Sequence, residues 1–270
     1  MRLLFCGDVM GRSGRDALAQ YLPDLKRNLE LDFVVVNGEN AAGGFGITAA
    51  ICERFFELGV DVITTGNHVW DQREIITHFA RENRLLRPHN FPAATPGTGC
   101  HVYEANGGRR VLVMNVMGRL FMDPLDDPFA SVDAALAEYR LGESIDAAII
   151  DVHGEATSEK MAIGHFVDGR ASLVVGTHTH IPTADTMIFD KGTAYQSDAG
   201  MCGDYNSVIG SVAAPWVGKF TSKMPSGRVP PAEGEGTLCA VFVETDDRTG
   251  LARHAAPVVR GPRLQNRWPL

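Results

Sequence analysis

Five short apolar runs in this chain each stop at a polar residue, and that repeated ending constrains the fold more than any other feature. Residues 3–6 lead through Gly7 to Asp8, residues 33–36 lead to Glu39 and Asn40, and residues 60–64 lead to Asn67 and His68. Residues 147–152 stop at His153, and residues 173–175 precede His178 and His180. Runs this short and this rich in Val, Ile and Leu read as strands. Between the first three lie helical patterns. Residues 13–30 put Leu18, Leu22, Leu25 and Leu29 on one face, with Pro23 expected to kink or divide the helix, and residues 47–58 make a second helix. Strand–helix–strand–helix–strand predicts parallel neighbours joined by right-handed crossovers. In open α/β sheets ligands bind beyond the carboxyl ends of the strands. Parallel strands therefore bring all five polar endings to one rim.

The remaining chain is read more coarsely. Pro88, Pro92 and Pro96 mark a loop-rich stretch before a strand at 111–116; helices are expected at 131–141 and 155–166. The last third offers strands at 186–189, 193–196 and 237–244 and a helix at 206–217, with short alternating strands that fit antiparallel pairing. No repeat and no Ser-, Gly- or charge-rich linker divides the 270 residues, 44% of them hydrophobic, which suffice for one full core. The expectation is a single α/β domain over residues 1–270, built as two packed sheets with helices outside.

Net charge is −8, without a Lys/Arg stripe, which excludes the electrostatic footprint of a duplex nucleic-acid binder. A small phosphorylated substrate remains compatible, because bound divalent cations reverse the local field. The five cysteines are scattered without a C-x-x-C pair, as expected of small core residues in a reducing compartment. No apolar run approaches the ~20 residues that cross a bilayer. The opening MRLLFCGD reaches an acid too early for a signal peptide. A cytoplasmic protein that does not enter a membrane is expected.

Taken singly, the polar endings are ordinary. Asp8 could be a turn or N-cap residue, Glu39–Asn40 a turn before AAGG, and His153 a hydrogen-bonded rim histidine. His178 and His180 are alternate residues, which share a face on an extended segment and can approach one site. Together, four of nine histidines and two carboxylates fall on one predicted edge. The other histidines, His78, His89, His101, His165 and His254, are placed in helices or loops without a matching partner and read as structural. Carboxylate, amide oxygen and imidazole without thiolate suit Mn, Fe or Zn better than Cu. A central carboxylate can bridge two ions about 3.5–4 Å apart, the spacing used for in-line phosphoryl displacement. Such a pair lowers the pKa of a shared water, yielding a hydroxide nucleophile, and neutralises phosphate oxygens in the transition state.

At these residues the sequence resembles the calcineurin-like metallophosphoesterase superfamily, whose pattern is D-x-H, G-D, G-N-H-[DE], a lone H, and G-H-x-H. The corresponding segments are Gly7-Asp8-Val9-Met10, Asn37-Gly38-Glu39-Asn40, Gly66-Asn67-His68, Val152-His153-Gly154 and Gly176-Thr177-His178-Thr179-His180. The variants GDVMG, NGENAAGG, TTGNHVWD, DVHGEATSEK and VVGTHTHIPTAD look like the bacterial YmdB-like branch, which hydrolyses cyclic nucleotide phosphodiesters. The resemblance implies a two-sheet β-sandwich flanked by helices, in four layers α/β/β/α. It implies two ions per chain, iron or manganese before zinc, with Glu39 bridging, Asp8 and His180 completing one site, and Asn67, His153 and His178 the other. His68 would protonate the leaving oxygen. Asp71 either orients His68 or, with Trp70, opens a helix. A homo-oligomer and 2′,3′-cyclic nucleotide substrates are implied as well.

Two positions depart from the superfamily pattern. Met10 stands where a histidine is usual, and a thioether is a poor ligand for a hard ion. Asn40 is the candidate replacement. Glu39 replaces an Asp, adding a methylene that the backbone must absorb. The stretch SDAGMCGDYNSVIG (197–210) also looks like the family, while Arg12 and Arg15 read as solvated surface residues. The same chemistry would serve a phosphomonoesterase, such as a nucleotidase or protein phosphatase. A non-catalytic scaffold on this fold is the alternative outside enzymes.

Overall fold

The computed structural model describes residues 1–224 and 227–269. From the N-terminus it runs β1 (Arg2–Cys6), β2 (Asp8–Val9), α1 (Gly11–Asn28), β3 (Phe33–Asn37), α2 (Ala49–Glu57), β4 (Val62–Thr64) and α3 (Ile75–Phe79). Then come β5 (Cys100–Ala105), β6 (Arg109–Met117), α4 (Pro128–Ala137), β7 (Ala147–His153), α5 (Thr157–Phe166) and β8 (Leu173–Thr177). The chain continues through β9 (Met187–Ile188), β10 (Ala194–Gln196), β11 (Met201–Cys202), α6 (Ala213–Ser222), β12 (Leu238–Thr245) and β13 (Ala252–Arg260).

These strands form two main sheets, ordered β13-β12-β1-β3-β4 and β5-β6-β7-β8-β10-β9. The centre of each is parallel: β1 with β3 and β3 with β4 in the first, β6 through β7 and β8 to β10 in the second. A parallel ladder between β2 and β11 sets Asp8 opposite Met201.

Alternation along each strand assigns its two faces. Leu3, Phe5, Phe33, Val35 and Val62 meet Val111, Val113, Ala147, Ile149, Leu173 and Val175 between the sheets. Leu4, Cys6, Val34, Val36 and Ile63 point outward, where Leu18, Leu22, Leu25, Leu29 and Phe55 cover them from the α1 and α2 side. Beyond the second sheet, Leu112, Met114, Ile150 and Val152 lie under Val132, Leu136 and Ile163 of α4 and α5. The result is the four-layer α/β/β/α arrangement, with strands buried on both faces because each apolar face has a partner layer.

Near the carboxyl ends, the face between the sheets changes character. The same alternation that places Val35, Val62, Val113, Ile149 and Val175 inside places Asn37, Thr64, Asn115, Asp151 and Thr177 there next, all 0% exposed. An apolar side chain buried at each position would contribute roughly 1.5–3 kcal/mol. Polar residues here forgo that stabilisation, which marks this end of the sandwich as the one shaped for chemistry.

Several elements differ from the expectations. Pro23 does not divide α1, which runs unbroken from Gly11 to Asn28; one lost hydrogen bond is outweighed by Leu18, Leu22 and Leu25, all buried on its core face. The helix expected at 206–217 forms only from Ala213. Before it, Ile209 (φ 47°) and Gly210 (φ 90°) take left-handed backbone that no right-handed helix can continue. Strands β5 and β13 were not anticipated, and they carry His101 and His254, which were expected in helices or loops. Pro257 is tolerated in β13 because that strand is an edge. In the last third, β12–β13 and β9–β10 are antiparallel as expected, but β10 joins β8 in parallel. All five cysteines are free, and four of them are buried. Among the described residues no helix is long and apolar enough to cross a membrane.

Candidate metal centre

The polar layer between the sheets is a hydrogen-bonded floor. Asp151 accepts from Thr64 Oγ1 at 2.6 Å, Thr177 Oγ1 at 2.7 Å and Asn37 Nδ2 at 3.0 Å, tying four strands from both sheets to one carboxyl. Burial pushes that carboxyl up to about 6, against the opposing pull of His153 and the three donors. Because Thr177 gives its proton to Asp151, its oxygen is left to accept from His153 Nδ1–H, 2.9 Å away. The tautomer of the neutral His153 ring is thereby set, with the lone pair on Nε2, which faces the rim.

Around that nitrogen other electron-pair donors gather. Asn67 Oδ1 lies 2.9 Å from His153 Nε2, His178 Nδ1 3.1 Å and Glu39 Oε1 3.2 Å. On the other side, His180 Nε2 is 3.2 Å from Asn40 Oδ1. The donor atoms of Glu39, His153 and His178 lie within 4.8 Å of one another, and so do those of Asp8, Glu39 and His180. Glu39 belongs to both groups.

The remaining nitrogen of His180 is also engaged, and that of His178 lies near a carboxylate. His180 Nδ1 donates to the Ile209 carbonyl at 2.7 Å, and His178 Nε2 faces Glu155 Oε2 at 3.4 Å. In their neutral forms His153 and His180 thus turn an unprotonated nitrogen inward, the second-sphere arrangement typical of metal-ligating histidines. One proton cannot satisfy three acceptors that converge on His153 Nε2. A cation of imidazole- and carboxylate-binding type fits them.

The electrostatics point the same way. Burial raises Glu39, but the charge and hydrogen bond of His153, with His68 and His178, overcome it and hold the carboxyl down at about 2. Burial lowers His153, yet Glu39, Asp8 and Asp151 pull it up to about 9. His178 is pushed down to about 3 by burial and by the neighbouring His153 charge. Asp8 is raised by burial and by Asp198, Glu39 and Asp151, against His153. This cluster concentrates a field that draws positive charge onto one point.

Backbone geometry delivers the candidate ligands. His178 (φ 96°) and His180 (φ 68°) both stand in the left-handed half of φ space, which costs residues with a Cβ about 1–3 kcal/mol each. The two rings therefore converge through a twisted loop, rather than through the extended alternation expected of them. Lys160 and Asp198, each 1% exposed, brace that loop. Lys160 Nζ reaches Asp198 Oδ2 and the Thr177 carbonyl, both at 3.1 Å. Asp198 Oδ2 accepts from the Thr179 amide at 3.0 Å, between the two histidines. Amides also fix the acids: His178 N–H donates to Asp8 and His68 N–H to Glu39.

All seven candidate ligands and His68 thus come to one rim. His68 stands at the mouth, with Nδ1 3.1 Å from Asp71 Oδ2. Asp71 also accepts from Arg228 and does not cap α3, which starts at Ile75 behind Glu74, while Trp70 packs on Phe79 and Phe91. Met10 lines the cavity, and the Asn40 amide oxygen points at His180. Arg12 is exposed and pairs with Asp16, but half-buried Arg15 donates to the Ala41 carbonyl. Lys160, Asp198, Asp151, Thr177 and Glu155 were not singled out from the sequence. Asp151 alone left a signal, as a carboxylate inside an otherwise apolar strand.

A family model described as YmdB-like protein matches residues 4–258. The 2′,3′-cyclic-nucleotide 2′-phosphodiesterase of Bacillus subtilis (strain 168) is 46% identical over 252 residues, 93% of this chain and 94% of that one. A putative phosphatase/phosphodiesterase of Mycoplasma pneumoniae is 37% identical, over 78% of this chain and 76% of its own. Among solved structures, a hypothetical protein from Thermus thermophilus superposes with a TM-score of 0.89 at 41% identity, covering 97% of this chain and 99% of the other. A novel phosphatase from Mycoplasma pneumoniae superposes at 0.90 with 31% identity, over 97% and 93%. On sequence and on fold alike, the chain belongs to the YmdB-like protein family.

Proposed function

We propose that this protein is a dinuclear-metal phosphodiesterase that hydrolyses 2′,3′-cyclic nucleotides. The observation that carries the reading is the pair of donor groups that share Glu39 at the floor of one cavity. The activity named for the Bacillus subtilis relative supplies the substrate class. Glu39 would bridge, with Asp8, His180 and Asn40 on one side and Asn67, His153 and His178 on the other. Iron or manganese fits this mixed oxygen–nitrogen set, with zinc third. When bound, the two ions would activate a water as nucleophile and neutralise charge on the phosphoryl oxygens.

The chain's own residues supply the rest. Asp151, through Thr177, keeps His153 in one tautomer; Ile209 does the same for His180. With Nδ1–H held by Asp71, His68 in its imidazolium form would present Nε2–H to the ribose oxygen and give it that proton as the bond to phosphorus breaks. That oxygen leaves as an alcohol instead of an alkoxide, which lowers the barrier.

Protein loaded with manganese or iron is expected to hydrolyse 2′,3′-cyclic AMP and bis-p-nitrophenyl phosphate. Glu39→Gln keeps the shape and removes the shared charge, and kcat is expected to fall on the order of 10³-fold, about 4 kcal/mol of transition-state stabilisation. Undiminished turnover in that variant rules the mechanism out. Faster turnover of p-nitrophenyl phosphate than of either diester would assign the site to monoesters.

A further inference from the structure

The cavity beyond the ligand cluster has a second wall that the proposed hydrolysis does not use. Its volume, about 510 Å³, falls within the 300–1,000 Å³ of small-molecule sites and far exceeds a phosphate group. Its lining also includes Phe45, Trp216, Lys219 and Arg228. Phe45 follows β3; the others come from α6 and the segment after it. No residue of α6 is buried, so the helix contributes nothing to the core. What it does contribute is Trp216 and Lys219, one turn apart on the cavity side, with Lys219 Nζ 4.8 Å from the Trp216 ring centroid.

Two details suggest a ligand. Trp216 Nε1 is shielded from solvent and has no hydrogen-bond partner among the described residues. An indole N–H in that condition costs about 1–3 kcal/mol unless an acceptor reaches it. In the same lining, the Arg228 guanidinium lies 3.7 Å above the Phe45 ring and is fixed there by Asp71 at 2.9 Å. The wall therefore offers flat aromatic and guanidinium surfaces and an excess of hydrogen-bond donors. Of its neighbouring acids, Asp71 is already engaged by His68 and Arg228, and Glu155 lies 3.4 Å from His178 Nε2. Flat, acceptor-rich and attached to a phosphodiester describes a nucleobase.

We propose that this wall is the nucleoside subsite, with the base held against Trp216 and the Arg228–Phe45 pair and one of its acceptor atoms taking the Trp216 N–H. The subsite rests on the phosphodiesterase reading for the placement of the phosphate, and it makes α6 with its flanking segment the part of the chain that selects nucleotides over smaller cyclic phosphates.

The test compares kcat/KM for 2′,3′-cyclic AMP with that for glycerol 1,2-cyclic phosphate, which has the same five-membered diester and no base. Trp216→Ala is expected to lower that ratio at least tenfold, chiefly through KM, and Trp216→Phe, which keeps an aromatic ring but loses the N–H, to lower it by a smaller factor. Since α6 lies outside the core, both variants should fold. An unchanged ratio, or equal losses on both substrates, overturns the proposal. Should the native protein cleave neither diester, the phosphodiesterase reading falls, and the subsite is judged by fluorescence with 3′-AMP. Quenching that Trp216→Ala removes supports it. Absence of quenching, or quenching that survives the substitution, overturns it.

Discussion

Gly66→Ala is expected to lower turnover at least 100-fold and to bring bound metal below two ions per chain, with only a modest loss of stability. A methyl group at this position would stand 2.2 Å from Glu39 Oε2 and 2.3 Å from His153 Nε2, far inside contact distance. Neither neighbour can give way. His153 is 0% exposed and held from behind by Thr177 and Asp151. Glu39 N–H is bonded to Asn37 Oδ1, and Glu39 Oε2 accepts from the His68 amide. The collision falls on the shared ligand, so both donor groups are disturbed, and changes around metal ligands cost 10–100-fold even when the ligands remain. Overpacking costs about 1–3 kcal/mol in a close-packed interior, so the fold should survive. Turnover, metal content and Tm on one preparation check the prediction. A variant with two ions and near-native kcat would show that Gly66 does not abut a working site.

Lys160→Met is expected to destabilise the fold by about 3–5 kcal/mol, read as a lower urea midpoint, because it leaves the Asp198 carboxylate buried without its counter-charge. The native pair is 3.1 Å apart with both side chains 1% exposed, so solvent cannot take over for the missing ammonium. The Thr177 carbonyl loses a donor in the same step. Adding Asp198→Asn should recover part of the loss, since a neutral amide needs no counter-ion. Activity should not recover with it, because the Thr179 amide between His178 and His180 depends on the Asp198 carboxylate. A single substitution costing less than about 1 kcal/mol would place the pair in the class of weakly contributing ion pairs.

Much of the candidate site was legible because its candidate ligands follow strands. Asp8, Glu39, Asn67, His153 and His178 each come at the end of a run whose Val and Ile content announces a buried strand, and parallel packing aligns those ends. The sandwich was legible for a related reason: strands apolar on both faces need a layer on each side. The floor beneath the site was not. In a doubly buried strand the period of two is invisible, so nothing in Ala147–His153 shows that Asp151 shares the inner face with Ala147 and Ile149. Lys160 and Asp198 are 38 residues apart, and only the packing of α5 beside β8 and the loop after β10 brings them together. The left-handed backbone of His178 and His180 was equally hidden, since such φ values are rare outside glycine, asparagine and aspartate. Strand β13 escaped notice because Arg253, His254 and Pro257 break its apolar pattern, as an edge allows.

The direct measurement is elemental analysis of the untreated protein together with anomalous scattering from its crystals. Two ions per chain are expected about 3.5–4 Å apart, both in contact with Glu39, and chelation should remove them together with activity. A single ion, ions bound away from Glu39, or full activity in metal-free protein would contradict the dinuclear account.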